Sequence, residues 1–335
     1  MRGSGGVTSH DVAIEAGVSQ ATVARVFSAP DKVAADTRSK VQDAANRLGY
    51  VPNAIARSLK AQRTDIIGAI VPATGEYWQH VLTSFSRQLT DRGRQLLLFS
   101  FAEPDQVDGL LENVARYRVD GLIAASASLG TPHLARMERS SMPIVAFNQP
   151  AAAGLVQSVT VDNEAGMQAL ADHVVERGAG SATYVGGVAS TSTDQARYRG
   201  VASRLGEHRV ACPHIDAGAF TYEAGHKIVG RLLEHELPDV VMVGSDEVAF
   251  GVVDGLRERG FEAPRDLMIT GFDGLPQASW AGYDLTTLEQ PTELLVEHAI
   301  SMLLSSSDAA EAEVNTSGDV VVPGTIRQGR TTDRA

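Results

Sequence analysis

The chain has 335 residues, of which 43% are apolar and 21% charged, with a formal net charge of −12 and one cysteine, Cys212. That is an ordinary globular composition with length for two or three domains. It excludes an internal disulfide framework and a CxxC zinc site, and no apolar run nears the roughly 18 residues of a membrane-spanning helix. No charged-then-apolar leader precedes the first predicted helices, so a cytoplasmic location is expected. The charge is unevenly divided. Residues 1–64 carry nine Lys/Arg against five Asp/Glu, a net of +4, and the remainder carries −16. A basic head on an acidic body is the asymmetry expected when only the head meets phosphate.

In chain order, the first predicted elements lie in DVAIEAGVSQATVARVF, residues 11–27. Asp11-Val12-Ala13 opens one short helix, with Val12, Ala13 and Ala16 on its apolar face, and Gly17 ends it by taking the left-handed conformation. Val18 plugs the turn. Ser19 caps a second helix that turns Val23 and Val26 inward and leaves Ala21 and Arg25 exposed. Taken alone this fits any αα-hairpin; it also fits a helix-turn-helix, whose second helix enters a DNA major groove. A third helix over 35–48, with the stripe Val41, Ala44, Ala45 and Leu48 and a stop at Gly49, completes a minimal all-α head over residues 8–52. Residues 53–60, NAIARSLK, form a basic helix of about two turns within a hinge over 53–64. A helix that short is marginal in water, so it should be ordered only when something holds it.

From Ile66 the pattern changes to alternating strands and helices. Strands are expected at 66–71, 95–101, 121–125, 144–148, 158–162, 182–186, 240–244, 268–272, 285–289 and 320–322. Helices are expected at 78–92, 106–117, 131–140, 164–177, 195–207, 222–236, 247–259 and 292–304, and 305–313 reads as a polar loop. Near-continuous apolar strands between helices imply parallel sheets covered on both faces. Ten strands suit two doubly wound lobes: a core over 65–330, with a first subdomain at 65–161 and 291–320 and a second at 162–290 and 321–330. Ligands of such folds sit beyond the carboxyl ends of the strands, here the cleft. Polar and aromatic residues at those ends are Glu76, Tyr77 and Trp78, Asn148, Asp162, Arg197, Ser245, Asp246 and Asp273. Carboxylates that accept hydroxyl protons, an Arg that donates and aromatic faces fit a small polyhydroxylated ligand. Asp162 and Asp246 read equally well as helix N-caps. There is no GxxxxGK[ST], GxSxG or HExxH, and no histidine has metal-ligand spacing, so neither an enzyme nor a metal or cofactor is expected.

Taken together these segments resemble the LacI/GalR (lactose-repressor) family of bacterial transcriptional regulators over nearly the whole chain. DVAIEAGVSQATVARVF resembles its helix-turn-helix and TRSKVQDAANRLGYVPNAIARSLK its third helix and hinge, while IIGAIVP, VDGLIAAS, VDNEAG, SDEVAFG, ITGFDG and LTTLEQP follow in the family's order. The resemblance implies a two-lobed core like that of periplasmic binding proteins. It implies a dimeric, ligand-responsive repressor on a near-palindromic operator in double-stranded DNA, with a sugar-like metabolite in the cleft. It places Gln20, Ala21 and Arg25 at base-reading positions; Arg can be bidentate to guanine and Gln to adenine, whereas Ala meets only a thymine methyl. Ser19, Thr22, Asn53, Ala56 and Lys60 complete the expected DNA-facing set, and Leu59 matches a leucine that wedges into the minor groove. Asn148, Arg197, Phe220, Asp246 and Asp273 fall on effector-binding positions. Ser245 stands for a more usual Asn, Asn148 for a more usual Asp, Ser28 for a more usual Asn, and PATGEYW is shorter than the family's loop. No heptad helix ends the chain, so a homodimer is expected rather than a tetramer. The rival reading, a periplasmic-type sugar-binding protein, shares the body but leaves residues 8–63 without a purpose.

Overall fold

The computed structural model describes residues 7–51, 64–73, 75–102, 106–125, 142–150, 156–234, 236–308 and 319–333. The chain divides into two compact units between Asp65 and Ile66. The hinge expected at 53–64, with Asn53, Ala56, Leu59 and Lys60, lies outside the described residues except for Thr64, as does the helix expected at 131–140.

In the first unit, α1 spans Ser9–Ala16, α2 Gln20–Ser28 and α3 Ala35–Leu48. Helix α1 starts two residues before Asp11. Thr8 is its cap: the Thr8 Oγ1 accepts the Asp11 N–H at 3.4 Å, and the Asp11 carboxylate accepts the Thr8 N–H at 2.8 Å. This reciprocal capping box explains why Asp11 marks the helix start without being its first residue. Gly17 closes α1 at φ +66°, a conformation that costs a residue with a Cβ. The Ser19 hydroxyl then accepts the Thr22 N–H at 3.1 Å and starts α2. Val12, Ala13, Val23, Val26, Val41, Ala44 and Ala45 form the core, flanked by Phe27 and Tyr50. The small size of these side chains lets three helices pack around so short a connection.

Among the described residues the second unit holds two six-stranded sheets. In chain order the strands are β1 Ile66–Pro72, β2 Gln95–Phe101, β3 Gly121–Ala125, β4 Ile144–Phe147, β5 Gln157–Val161, β6 Ala182–Gly186, β7 His214–Asp216, β8 Val240–Val243, β9 Met268–Asp273, β10 Thr286–Glu289, β11 Val320–Val322 and β12 Thr325–Arg327. The first sheet runs β11-β5-β4-β3-β1-β2 and is wholly parallel. The second runs β12-β10-β9-β8-β6-β7, with only β12 antiparallel, to β10. The described helices are α4 Glu76–Asp91, α5 Val107–Tyr117, α6 Asn163–Glu176, α7 Ser192–Glu207, α8 Tyr222–Leu232, α9 Asp246–Arg257 and α10 Thr292–Asp308. Central strands are buried on both faces, as β4 and β8 are throughout, which is why they read as unbroken apolar runs.

Three differences from the sequence reading matter. Strands β7 and β12, three residues each and carrying polar side chains, have no periodicity to detect. Helix α10 continues to Asp308, into the stretch expected to be loop. The last passage between lobes falls at Pro323-Gly324 rather than at 320/321, because Val320–Val322 registers on Val159, Thr160 and Val161 in the first sheet while Thr325–Arg327 pairs with β10 in the second. The other passages are at Asp162, between β5 and α6, and at Gln290-Pro291, between β10 and α10.

Candidate functional site

The outer edge of α2 is the first candidate surface. Gln20, Ala21, Ala24 and Arg25 are exposed while Val23 and Val26 face the core. Ser19 and Thr22 are tied to each other at the helix start, hydroxyl to hydroxyl at 2.9 Å. The Gln20 Nε2 donates to the Ser9 Oγ at 2.8 Å, so this side chain also fastens α1 to α2. The arrangement presents one cation, one amide and two methyl groups on a convex helical edge, the set of chemistries that reads base edges in a major groove.

The second candidate is the seam between the two sheets' carboxyl ends. Arg197, on α7, is buried, with its guanidinium carbon over the Phe272 ring, 3.8 Å from the centroid. Its Nε donates to the Asn163 Oδ1 at 2.8 Å, its Nη1 to the Gly244 carbonyl at 2.5 Å and its Nη2 to the Asp273 carboxylate at 3.5 Å. Asp273, at the end of β9, sits at φ +127°, a strained conformation for a residue with a side chain. Its carboxylate also accepts the Gln290 Nε2 at 2.7 Å, and the Gln290 Oε1 accepts the Tyr77 hydroxyl at 3.0 Å. A continuous polar chain therefore runs from Asn163 through Arg197, Asp273 and Gln290 to Tyr77, from the second lobe to the first. Burial pushes the Asp273 carboxyl above its ordinary range, against the pull of Arg197 and of the Gln290 amide.

Of the predicted cleft residues, Arg197, Asp273 and Tyr77 are thus brought together. The side chains of Asp246 and Ser245 are not part of that chain, although the Asp246 backbone N–H also serves the Asp273 carboxylate. The Ser245 hydroxyl caps α9 by accepting the Val248 N–H at 3.4 Å. Asp246 is neither exposed nor a cap: its oxygens accept the Thr287 hydroxyl at 2.6 Å and the Leu275 N–H at 2.7 Å, which ties α9 to the second sheet. Burial first, and Asp273 second, push its carboxyl upward. Asp162 is a cap, accepting the Ala165 N–H at 2.9 Å. Asn148 is buried at φ +57°, and its Oδ1 has no partner, a buried acceptor of the kind a ligand hydroxyl satisfies. Phe220 is half-buried against Gly187, where an added Cβ would lie 2.2 Å from the ring. Trp78 is half-buried with its ring edge-on to Tyr77, centroids 5.2 Å apart. The Glu76 carboxylate accepts the Gln277 Nε2 at 3.3 Å.

A cavity of about 240 Å³ opens beside the Asp162 crossing, with Pro150, Thr160 and Val321 on one side and Asn163, Thr193 and Arg199 among those on the other. Its lining mixes hydroxyls, amides and charges with apolar Val161, Ala196 and Val321, Arg199 lies 3.6 Å from Glu164, and Arg197, Asp273, Tyr77 and Asn148 do not line it. Asn163, Glu247 and Gln290 lie in the segments VDNEAG, SDEVAFG and LTTLEQP, where their sequence signal is shared with neighbours; Thr193 carries none.

The profile of a family described as "Bacterial regulatory proteins, lacI family" matches residues 8–53, and that of "Periplasmic binding proteins and sugar binding domain of LacI family" matches residues 64–317. Catabolite control protein A of Priestia megaterium is 32% identical over 291 residues, covering 85% of this chain and 88% of the other. The HTH-type transcriptional repressor PurR of Serratia proteamaculans (strain 568) is 31% identical over 304 residues, covering 89% of each. A crystal structure of the lac repressor dimer bound to operator and the anti-inducer ONPF has the same fold, with a TM-score of 0.86 over 98% of this chain and 99% of the other at 22% identity.

Proposed function

The chain belongs to the LacI family of bacterial regulatory proteins, and from that premise we propose that it is a dimeric, cytoplasmic repressor whose operator affinity is set by a small polyhydroxylated metabolite in the interlobe cleft. One observation carries the reading. A helix-turn-helix with an exposed Gln20-Ala21-Arg25 edge is continuous in sequence with a two-lobed body whose crossing carries the Arg197–Asp273–Gln290–Tyr77 chain, a cavity of mixed polar and apolar lining and, elsewhere, an unpartnered Asn148 Oδ1. The function is regulation rather than catalysis, as for its relatives.

Each head reads one half of a near-palindromic operator, Arg25 and Gln20 donating to base edges and Ser19 and Thr22 facing phosphate. Leu59 wedges into the minor groove at the operator centre, and Asn53, Ala56 and Lys60 belong to the same DNA-facing set. A second copy covers α4 and the edge strand β2, where Leu82 and Leu96 line a groove and Leu98 is 47% exposed. Ligand in the cleft favours one lobe arrangement and so one hinge spacing. Such couplings amount to about 1–3 kcal/mol and are reciprocal.

Two measurements test this together. A thermal-shift screen of monosaccharides, disaccharides and sugar phosphates should find a ligand that stabilises the protein and also changes operator affinity in a gel shift. Leu59→Ala should weaken operator binding far more than non-specific binding. Equal loss on both DNAs refutes the wedge, and a stabilising ligand without effect on operator affinity refutes the coupling.

A further inference from the structure

Helix α4 has no cap of its own. The residue before it is Gly75, at φ +113°, with no side chain to offer. The first N–H groups of any α-helix lack intrahelical acceptors. Here the acceptor comes from the other lobe: the Glu247 Oε1 receives the Glu76 N–H at 2.6 Å, and the Tyr77 N–H also points to this carboxylate. Glu247 lies in the first turn of α9, where an acid ordinarily serves its own helix dipole. That helix is already capped by Ser245, and the Glu247 carboxylate is spent across the seam instead.

We propose that Glu247 is a positioning residue that holds the cleft closed: it supplies from the second lobe the cap that α4 lacks, and so fixes Tyr77 and Trp78 against the opposite side of the seam. The inference stands on the seam geometry and not on the identity of the ligand. Three contacts make the same crossing: Glu247 to the α4 N-terminus, Gln277 to the Glu76 carboxylate, and Gln290 to the Tyr77 hydroxyl. Burial pushes the Glu247 carboxyl up to about 7, with the Glu76 and Tyr77 N–H groups pulling it down and the Asp273 and Glu76 charges adding to the rise. The desolvation cost therefore offsets much of what the hydrogen bonds contribute, which leaves a contact able to release. When the lobes part, the α4 N-terminus loses its acceptor, Tyr77 loses its bond to Gln290, and Trp78, whose ring packs edge-on to Tyr77, loses that anchor too.

Amide hydrogen exchange on the full chain reads this directly, because first-turn N–H groups are protected only if something outside the helix accepts them. In Glu247→Ala, and in Glu247→Asp, which keeps the charge but is one methylene too short, the amides of residues 76 and 77 should exchange about tenfold faster. Glu247→Gln, which keeps an acceptor oxygen at the same reach, should retain most of the protection. In a Trp280→Phe background Trp78 is the sole tryptophan, and its emission should shift to the red in the Ala and Asp variants but not in Gln. Protection at strand β8 checks that the lobe itself is intact. Unchanged exchange at 76 and 77 in the Ala variant overturns the proposal, as does equal loss in the Gln variant. Loss of protection throughout the body in both the Ala and Asp variants overturns it too, since Glu247 would then hold up the fold and not the closure.

Discussion

Replacing Arg197 with Met removes the hub of the seam while keeping much of the side chain's apolar bulk. Three acceptors each lose a donor: the Asn163 Oδ1, the Gly244 carbonyl and the Asp273 carboxylate, which keeps Gln290 but loses its counter-charge. The largest effect is electrostatic. Arg197 and Asp273 are 4% and 7% exposed, so deleting the cation leaves a carboxylate in a poorly solvated place. Breaking one partner of such a pair costs about 3–5 kcal/mol, whereas the intact pair contributes little net stability. The cost should depend on pH in a defined direction. The native Asp273 carboxyl titrates above its unfolded value, so its contribution to stability is present at low pH and lost as pH rises through the native value. Without Arg197 that native value moves higher still. The deficit of Arg197→Met should therefore be greatest near pH 8 and shrink steadily toward pH 5, as Asp273 takes up a proton. Adding Asp273→Asn should recover most of it at pH 8. Urea unfolding followed by tryptophan fluorescence is the assay, because both tryptophans, Trp78 and Trp280, lie in the body and none in the head. A deficit that is flat from pH 5 to 8, or a double variant no more stable than Arg197→Met, would refute the argument.

Tyr77→Phe strands the Gln290 Oε1 and should lower body stability by about 1–3 kcal/mol in the same assay; an unchanged transition midpoint would mean that water replaces the hydroxyl. Arg25→Ala should cost operator binding about 1–3 kcal/mol and relax sequence preference at one base pair per half-site. A uniform loss on all sequences, measured by competition gel shift, would make Arg25 a phosphate contact instead. Leu98→Asp places a charge on the exposed face of the edge strand β2 and should shift sedimentation from dimer to monomer without unfolding the body; a persistent dimer would move the interface elsewhere.

The alternation of strands and helices was readable because each central strand is buried on both faces and so is a plain apolar run, as in IVAF and VVMV. Strands β7 and β12 were not, since HID and TIR are held in place by neighbours and not by their own composition. The same distinction divides the site. Arg197, Asp273 and Tyr77 were visible as unusual residue types at strand ends and early helix positions. Asp246 looked identical on those criteria but is consumed by Thr287 and Leu275, contacts from segments some 30 to 40 residues away that no local pattern encodes. Glu247 is illegible for the converse reason: an acid in the first turn of a helix is what dipole arguments expect, and only the three-dimensional neighbour shows it serving a different helix. Gln20 shows that an exposed position need not have a single role, since its amide is already engaged by Ser9 in the described head.

The passages between the lobes have a mechanical consequence. They lie at Asp162, Gln290-Pro291 and Pro323-Gly324, and the first and last are stitched together where the Asp162 N–H donates to the Val322 carbonyl at 2.9 Å. Two crossings held side by side by that bond resist sliding past one another more than they resist twisting, so rotation is the softer coordinate they leave the lobes. A ligand in the cleft would then act as a torque, with leverage that grows with its distance from those crossings. A contact at the far rim of the cleft can then outweigh a stronger one near the axis.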